Sequence, residues 1–293
     1  MKKYIAILPI LAVLFSTACG GKKSATNEMS AFDADTIILD QDQYVRFETT
    51  AGNFTIKLYR ETPLHRHNMV RNARHGIYDG QLFFGIQKGY KIQCGDVNSK
   101  NAQPGQQLGI NEKEDTIMSE IQPELFYHKR GAVGQASVTQ FDYSTSQQFY
   151  IVTGRKAKVA QLTDQEKTIN KRYRKEVKDS LTRPYSKQIL EWQKYKENKQ
   201  ISKLNDKLNK ETDAIMATRK PFLYSQEQVD QYLYDGGVPS LDGLYTVFGE
   251  VTEGLEVVEA INNMHTDRNY RPDPDVRITR AYVVGEEPET DNQ

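Results

Sequence analysis

A lysine and a glutamine stand two residues apart in a strongly apolar stretch of the chain, residues 82–96. The stretch is rich in aromatic and β-branched residues and has a Lys-Gly pair near its centre, which predicts two short strands joined by a tight turn. Because side chains alternate between the faces of a strand, Lys91 and Gln93 share one face, while Tyr90 and Ile92 share the other. The pair therefore offers an ammonium and an amide, both hydrogen-bond donors, on an otherwise apolar strand.

The elements before this stretch are predicted from pattern alone. Residues 44–59 alternate apolar and polar side chains around a turn at 50–53, which is typical of a β-hairpin. A helix is expected to follow, with Thr62 as its N-cap, Pro63 in its first turn and Gly76 at its end.

Three histidines, His65, His67 and His75, lie on or beside this predicted helix. Side chains two residues apart on a helix point in different directions, so a His-x-His pair there makes a poor chelate. We therefore expect no metal site, and we expect these histidines to lie on the solvated surface.

The central stretch resembles that of the cyclophilin family of peptidyl-prolyl isomerases, whose pattern is Phe-His-Arg, four residues, Phe, two residues and Gln-Gly-Gly-Asp. The matching positions are Phe83, Gly89, Tyr90, Gln93, Gly95 and Asp96. The family's His and Arg are Phe84 and Gly85 here, and one motif glycine is Cys94. Later segments also resemble the family, so the resemblance covers most of residues 44–153 and 241–284.

The resemblance implies a mainly β fold with helices: a closed, eight-stranded, cyclophilin-like antiparallel barrel capped by two helices. The barrel is expected to span residues 42–160 and 240–285, and residues 286–293 are expected to form a disordered tail. The second capping helix corresponds to residues 253–261, and the closing strand to residues 277–284.

Residues 161–239 interrupt the resemblance. A capping-box pattern at 163–166 and apolar residues at a spacing of four predict helices, and the many charged residues indicate a solvated surface. We interpret the segment as an inserted α-helical hairpin beside the barrel. It either packs on itself as a solvated antiparallel pair or serves as an arm that grips a partner or holds a client polypeptide.

The resemblance also implies a binding site for proline-containing or unfolded polypeptides, with no cofactor and no metal. Gln93 is expected to hold the peptide backbone and is the first catalytic candidate. The residues implied in substrate binding are Phe83, Tyr90, Ala136, Ser137, Gln148, Tyr150, Leu241 and Tyr245. Rotation about a prolyl bond needs an apolar pocket for the ring and donors that favour a twisted amide, rather than a nucleophile.

Glycine at position 85 removes the arginine that, in the family, donates hydrogen bonds to the twisting amide. Losing one preorganised donor costs roughly a hundred- to a thousandfold in rate, so the resemblance implies a weak isomerase. Lys91 is the second catalytic candidate, because its ammonium could reach the peptide from the Gln93 face. The alternative is that Lys91 extends to water. Ser240 replaces a tryptophan that the family uses for cyclosporin, so weak cyclosporin binding is expected.

The first 18 residues have a basic start, an apolar core and small residues before Cys19, as in a secretory signal peptide. The pattern before Cys19 resembles a bacterial lipobox, which implies acylation of that thiol. An ordinary signal peptide with an incidental cysteine is the alternative. Residues 19–41 are predicted to be a flexible tether to the membrane. These features place the protein in the bacterial cell envelope, periplasmic or at the outer membrane.

Composition sets further limits. The chain has 39 basic and 39 acidic residues and a formal net charge of zero, which argues against nucleic-acid binding through phosphate neutralisation. Its 293 residues can bury a full core and carry a second, smaller unit. Cys19 and Cys94 are its two cysteines, so no internal disulfide is expected if Cys19 carries lipid. Cys94 is expected to be a buried apolar residue.

Two functions follow from these observations. The first is a lipid-anchored isomerase that assists the folding of exported proteins. The second is a non-catalytic module, anchored in the envelope, that binds proline peptides or acts as a chaperone. The retained pocket residues favour the first, whereas Phe84 and Gly85 favour the second. The oligomeric state is left open.

Overall fold

The computed structural model describes residues 41–110, 115–137 and 142–286. The predicted signal peptide, the predicted acylation site Cys19 and nearly all of the predicted tether lie outside these residues. The predicted tail also lies outside them, except for Glu286. Its carboxylate accepts a hydrogen bond from Arg74 Nε at 2.8 Å, and disorder of the tail stays a prediction.

Ten strands form two antiparallel sheets in the described part of the chain. Their bounds are β1 (Gln43–Thr49), β2 (Gly52–Leu58), β3 (Gly85–Gln87), β4 (Lys91–Cys94), β5 (Thr116–Met118), β6 (Ala132–Gln135), β7 (Tyr143–Thr145), β8 (Phe149–Val152), β9 (Val247–Glu253) and β10 (Ile278–Val283). Eight of them make one curled sheet in the order β10-β1-β2-β9-β6-β8-β4-β3, and β5 pairs with β7.

The two hairpins predicted from the sequence are present. β1 pairs with β2 along its whole length, and β3 pairs with β4 so that Gly85 lies opposite Gln93 and Gln87 opposite Lys91. Gly89 adopts a φ of +66° between β3 and β4, a conformation that residues with a side chain rarely adopt. The turn between these strands therefore depends on its glycine.

The edge strands of the curled sheet, β3 and β10, are joined by no ladder within the described residues. The segments before them approach each other instead, through a bridge between Leu82 and Arg277 and a hydrogen bond from the Phe83 amide to the Val276 carbonyl. The eight-stranded antiparallel prediction is thus confirmed as a curled sheet, and the closed barrel stays a prediction.

Six α-helices accompany the sheets in the described residues. They are α1 (Pro63–Arg74), α2 (Val159–Thr182), α3 (Ser186–Lys194), α4 (Asn198–Thr218), α5 (Gln226–Asp230) and α6 (Leu255–Asn263). Helices α1 and α6 bury apolar residues such as Met69 and Ile261 against the core of the curled sheet. They are the two capping helices expected from the resemblance.

The N-terminus of α1 is capped differently from the prediction. Thr62 makes no side-chain cap; instead the Glu120 carboxylate accepts the backbone N–H groups of Leu64 at 3.1 Å and of His65 at 3.0 Å. The His65 ring is fully buried between Glu120 and Ser144, at 2.6 and 3.0 Å. The expectation of a solvated His65 was therefore wrong, because a carboxylate from a distant loop draws the ring inward.

Helices α2 to α5 occupy the region predicted as a helical insertion. α2 begins at Val159, before the capping-box pattern at 163–166, and the Gln161 side chain accepts the Lys158 N–H at 2.8 Å. Arg174 of α2 pairs with Asp213 of α4, and Asn170 of α2 donates to the Phe222 carbonyl at 2.9 Å. The earlier residue of α2 contacts the later of the two partners, and the later residue of α2 contacts the earlier one. Helices α2 and α4 are therefore antiparallel, with the short α3 between them in the sequence.

The insertion packs on the rest of the molecule through a buried aromatic and aliphatic cluster. Its buried members are Leu162, Ile169, Tyr173, Phe222, Tyr224 and Tyr232. Tyr127, which precedes β6, packs against this cluster and lies 5.5 Å from the Tyr232 ring. Among the described residues no helix is both long enough and apolar enough to cross a membrane.

Candidate prolyl-peptide site

Four of the predicted substrate-binding residues meet in one apolar cluster at the side of the curled sheet. Tyr150 and Leu241 are buried in it, and Tyr90 and Tyr245 pack against it partly exposed. The Tyr245 ring lies edge-on to the Tyr150 ring, with centroids 6.1 Å apart. We call these four residues the ring cluster, because their arrangement suits a flat, apolar ring.

Tyr150 contacts a buried histidine, His128, that was not predicted from the sequence. Its hydroxyl lies 2.8 Å from His128 Nε2, and His128 Nδ1 lies 2.7 Å from Asp242 Oδ1. The two rings are stacked with their centroids 5.9 Å apart. Gly134 makes room for this arrangement, because a Cβ at that position would lie 2.4 Å from Tyr150 Cζ.

The carboxylate of Asp242 is the centre of a larger network. Its Oδ1 accepts both the backbone N–H and Nδ1 of His128, each at 2.7 Å, and its Oδ2 accepts the hydroxyls of Tyr224 and Tyr232, each at 2.6 Å. Asp242 is 1 % exposed. Because Tyr224 and Tyr232 belong to the inserted segment, the insertion is fastened directly to the residue that follows Leu241 of the ring cluster.

Burial makes the phenols of this network hold their protons. Burial, and after it the neighbouring Asp242, raises the pKa of Tyr224 and of Tyr232 above the ordinary value. Burial likewise raises the pKa of Tyr150. All three phenols therefore remain neutral at any physiological pH, so each can donate a hydrogen bond.

A second group of predicted residues forms a chain of polar contacts beside the ring cluster. Lys91 Nζ donates to Gln93 Oε1 at 2.9 Å, and Gln93 Nε2 donates to Gln148 Oε1 at 3.2 Å. The Ala136 amide donates to the Gln148 carbonyl at 2.9 Å, and Ser137 Oγ donates to the Tyr143 carbonyl at 2.9 Å. The structure thus brings both catalytic candidates together.

Lys91 links the two groups. Its Nζ lies 4.5 Å from the centroid of the Tyr150 ring while it donates to Gln93. Burial lowers the pKa of this ammonium to about 8. The side chain is therefore turned into the site, and the alternative that Lys91 extends to water does not describe this structure.

A cavity of about 420 Å³ opens on the far side of Lys91 and Gln93. Gly85 forms part of its wall, and a Cβ there would lie 3.3 Å from the Gln93 Cβ. The other lining residues are Phe84, Gln87, Gln107, Leu108, Gly109, Arg268, Asn269 and Tyr270. We call this space the amide-side cavity. Its two charged side chains, Lys91 and Arg268, are both cationic.

The comparison with protein families agrees with this geometry. The sequence pattern of the family described as "Cyclophilin type peptidyl-prolyl cis-trans isomerase/CLD" matches residues 44–177 and 182–283. These segments make up most of the chain. The chain belongs to the cyclophilin-type family.

Curated relatives of this cyclophilin match it over shorter segments. It is 39% identical over 62 residues to "Peptidyl-prolyl cis-trans isomerase-like 4" from Mus musculus, which covers 20% of this chain and 13% of that protein. It is 31% identical over 112 residues to "Peptidyl-prolyl isomerase cwc27" from Rhizopus delemar, which covers 38% of this chain and 20% of that protein. The aligned part is thus a fifth or less of each of these relatives.

A solved structure covers more of the cyclophilin. The crystal structure of a cyclophilin type peptidyl-prolyl cis-trans isomerase from Cryptosporidium parvum aligns with 84% of this chain and 100% of its own, at 17% identity and a TM-score of 0.47.

One predicted substrate-binding residue of this cyclophilin lies elsewhere. Phe83 is fully buried in the core of the curled sheet, where its ring lies 6.3 Å from that of Phe54. It has no surface to offer a peptide, so its assignment to the site was wrong. Phe83 lies before β3 and packs in the core, whereas Phe84 and Gly85, which follow it, line the amide-side cavity.

Sequence reasoning missed His128 and Asp242. Asp242 stands directly after Leu241 in an otherwise apolar turn, and a carboxylate in that position was a usable signal of a buried polar network. His128 offered none, because its two side-chain partners, Tyr150 and Asp242, lie 22 and 114 residues away along the chain.

Proposed function

We propose that this chain catalyses the cis–trans isomerisation of prolyl peptide bonds at low turnover. The observation that carries the proposal is the joint placement of the ring cluster with the Lys91–Gln93–Gln148 contacts. An apolar notch and adjacent donors are the two features that rotation about a prolyl bond requires.

The geometry suggests how the residues would act. The pyrrolidine ring packs on Tyr150 and Leu241, in the place that the Lys91 ammonium covers in the absence of peptide. Gln93 then offers its amide to the peptide backbone. As the prolyl amide twists, its carbonyl and nitrogen lose conjugation, and nearby donors stabilise the separated charge. Covalent bonds to the enzyme are not involved.

Two observations support low turnover. Gly85 places no donor at the wall of the amide-side cavity, and Tyr150 is only 1 % exposed. Without a donor at position 85, one source of transition-state stabilisation is missing. Because Tyr150 is buried beneath Lys91, the lysine side chain must move before a prolyl ring can bind. The same two observations favour the second candidate function, a module that holds proline-containing or unfolded polypeptides without catalysis.

Exchange NMR on a Phe-Pro peptide separates the two candidates. The isomerase predicts accelerated exchange that falls roughly a hundredfold in Gln93→Leu, because one oriented amide is lost. Ser119→Ala is a control polar substitution outside the site. A protein that accelerates nothing but still suppresses aggregation of an unfolded client, with and without Gln93, would be a binding module instead.

We further propose that the protein works in a bacterial cell envelope, held by a lipid on Cys19, on exported polypeptides. The support is the sequence alone: the basic start, the apolar run and the small residues before Cys19. Incorporation of a radiolabelled fatty acid into the wild type but not into Cys19→Ser tests it. Label retained in Cys19→Ser, or absent from both, would contradict the anchor.

A further inference from the structure

The loop between α6 and β10 brings an arginine to the amide-side cavity. Arg268 lines this cavity together with Gly85, Lys91 and Gln93. The arginine belongs to a different segment of the chain from the β3–β4 hairpin, which itself carries no guanidinium. Within residues 41–110, 115–137 and 142–286 no acceptor is recorded for its side chain, whereas Lys91 already donates to Gln93.

The loop that carries Arg268 is rigidly built. Asp267 Oδ1 accepts the backbone N–H groups of Asn269 at 2.7 Å and Arg271 at 3.0 Å, and the Ile86 amide donates to the Tyr270 carbonyl at 2.8 Å. The last bond ties the loop to β3, one residue after Gly85. The backbone of Arg268 is therefore held at a constant position relative to the wall of the cavity.

Two further contacts fix the loop from its other side. Arg271 forms a two-pronged pair with Asp275, with both distances 2.6 Å, and Asn269 Nδ2 donates to the Gly105 carbonyl at 3.0 Å. All of these bonds are made by residues beside Arg268, and none by Arg268 itself. The loop therefore fixes its backbone without using the Arg268 side chain, which is exposed and lines the cavity.

Tyr270 adds an independent observation. It has a φ of +65°, an uncommon conformation for a bulky aromatic residue, and it also lines the amide-side cavity. Backbone strain of this kind persists where surrounding contacts impose it and is concentrated at functional sites. At Tyr270 this backbone conformation is held by the hydrogen bonds that Asp267 and Ile86 make with the loop.

We propose that Arg268 is a catalytic residue that donates hydrogen bonds to the bound prolyl peptide across the amide-side cavity. The proposal rests on the isomerase function proposed above. A guanidinium presents several donors in a planar fork and stays charged, so it can follow a carbonyl oxygen as the amide rotates. Among the described residues that line the cavity, none carries a carboxylate that would compete for it.

The test is a set of variants assayed by exchange NMR on a Phe-Pro peptide. Arg268→Ala is expected to lower kcat/KM roughly a hundredfold, and Arg268→Lys to fall between it and the wild type, because lysine keeps the charge but loses the fork. Lys88→Ala is the control: it removes an exposed cation from the β3–β4 turn that does not line the cavity. The thermal midpoint of Arg268→Ala should equal that of the wild type.

A second variant tests whether an arginine introduced at position 85 restores the lost turnover. Gly85 has no positive φ, and a Cβ added there meets only Gln93 Cβ, at 3.3 Å, so a small shift admits a side chain at this position, which lines the same cavity as Arg268. The double variant Arg268→Ala, Gly85→Arg is expected to recover at least tenfold of the lost turnover. Gly85→Arg alone is assayed beside it, because an arginine at position 85 supplies a donor in either background; the role of Arg268 requires that the gain be larger in the Arg268→Ala background than in the wild type.

The outcomes separate this proposal from the one on which it rests. A wild-type protein without any acceleration overturns both. An active wild type with Arg268→Ala within twofold of it overturns the role of Arg268 alone. Equal losses in Arg268→Ala and Lys88→Ala, or no recovery in the double variant, also overturn it, because overall charge or folding would then explain the loss.

Discussion

The ring cluster and the amide-side cavity lie on either side of Lys91, and they are built in opposite ways. Beneath the ring cluster, Asp242 accepts four hydrogen bonds and every phenol has a partner. The amide-side cavity has a glycine in its wall, and the charged side chains among its described lining residues are the two cations Lys91 and Arg268. Affinity for a ring requires a fixed apolar surface, whereas a rotating amide requires donors that can follow it.

The two halves of the site are also supported by different segments of the chain. The insertion stabilises the ring cluster through Tyr224, Tyr232 and the Gln165 side chain, which donates to the Asp242 carbonyl at 2.6 Å. The loop before β10 shapes the amide-side cavity. Segment 161–239 therefore contributes to the site itself: it supports the ring cluster, whereas the loop before β10 shapes the other half.

The largest expected effect is on the ring side. Asp242→Ala removes the acceptor of four buried donors and is expected to lower the free energy of unfolding by about 3–5 kcal/mol, measured by urea denaturation. Asp213→Ala, which removes one partner of an exposed ion pair with Arg174, is the control and should cost about 1 kcal/mol or less. Equal losses in the two variants would mean that the Asp242 network does not stabilise the fold.

A pair of glycines tests the difference in packing directly. A methyl group on Gly134 would meet Tyr150 atoms at 2.4 to 2.6 Å, whereas one on Gly85 would meet Gln93 Cβ at 3.3 Å. Gly134→Ala is therefore expected to cost about 1–3 kcal/mol of unfolding free energy, and Gly85→Ala about 0.5 kcal/mol or less. Comparable costs at the two positions would show that the amide side is as tightly packed as the ring side.

Lys91 lies at the boundary between the two halves. Lys91→Met keeps the volume and removes the ammonium donor, so prolyl turnover is expected to fall about tenfold, equivalent to about 1.4 kcal/mol. Lys88→Met is the matched control in the adjacent turn. If turnover is unchanged, Lys91 is only a cover for Tyr150; if it rises, Lys91 competes with the prolyl ring.

The sequence allowed more to be predicted about the fold than about the site. Alternation in β1 and β2, the turn at Gly89 and the helix start at Pro63 are local patterns, and the structure has all three. The burial of Cys94 was also predicted correctly. The cap of α1 was not, because Glu120 lies more than 50 residues from the helix that it caps.

The parts of the site that escaped prediction depend on contacts between distant segments. Gln93 and Tyr150 were predicted because each lies in a motif contained within a single strand. Asp242 required knowledge that two tyrosines of the insertion donate to it, and Arg268 required the position of a loop relative to Gly85. Tertiary hydrogen bonds of this kind leave no period or spacing in the sequence.

The smallest expected effect concerns the pH dependence of stability. Burial holds the pKa of Lys91 in the folded protein at about 8, below its ordinary value of 10.5. Between these values the unfolded chain binds more protons than the folded one, so the Lys91 contribution makes the free energy of unfolding rise with pH and is constant below about 8. Urea denaturation of the wild type and of Lys91→Met at several pH values isolates this contribution, since other groups titrate alike in both. Parallel curves would mean that Lys91 is as well solvated in the folded protein as in the unfolded chain. The Lys91 ammonium would then not be buried against Tyr150, and the region between the ring cluster and the amide-side cavity would be accessible to solvent.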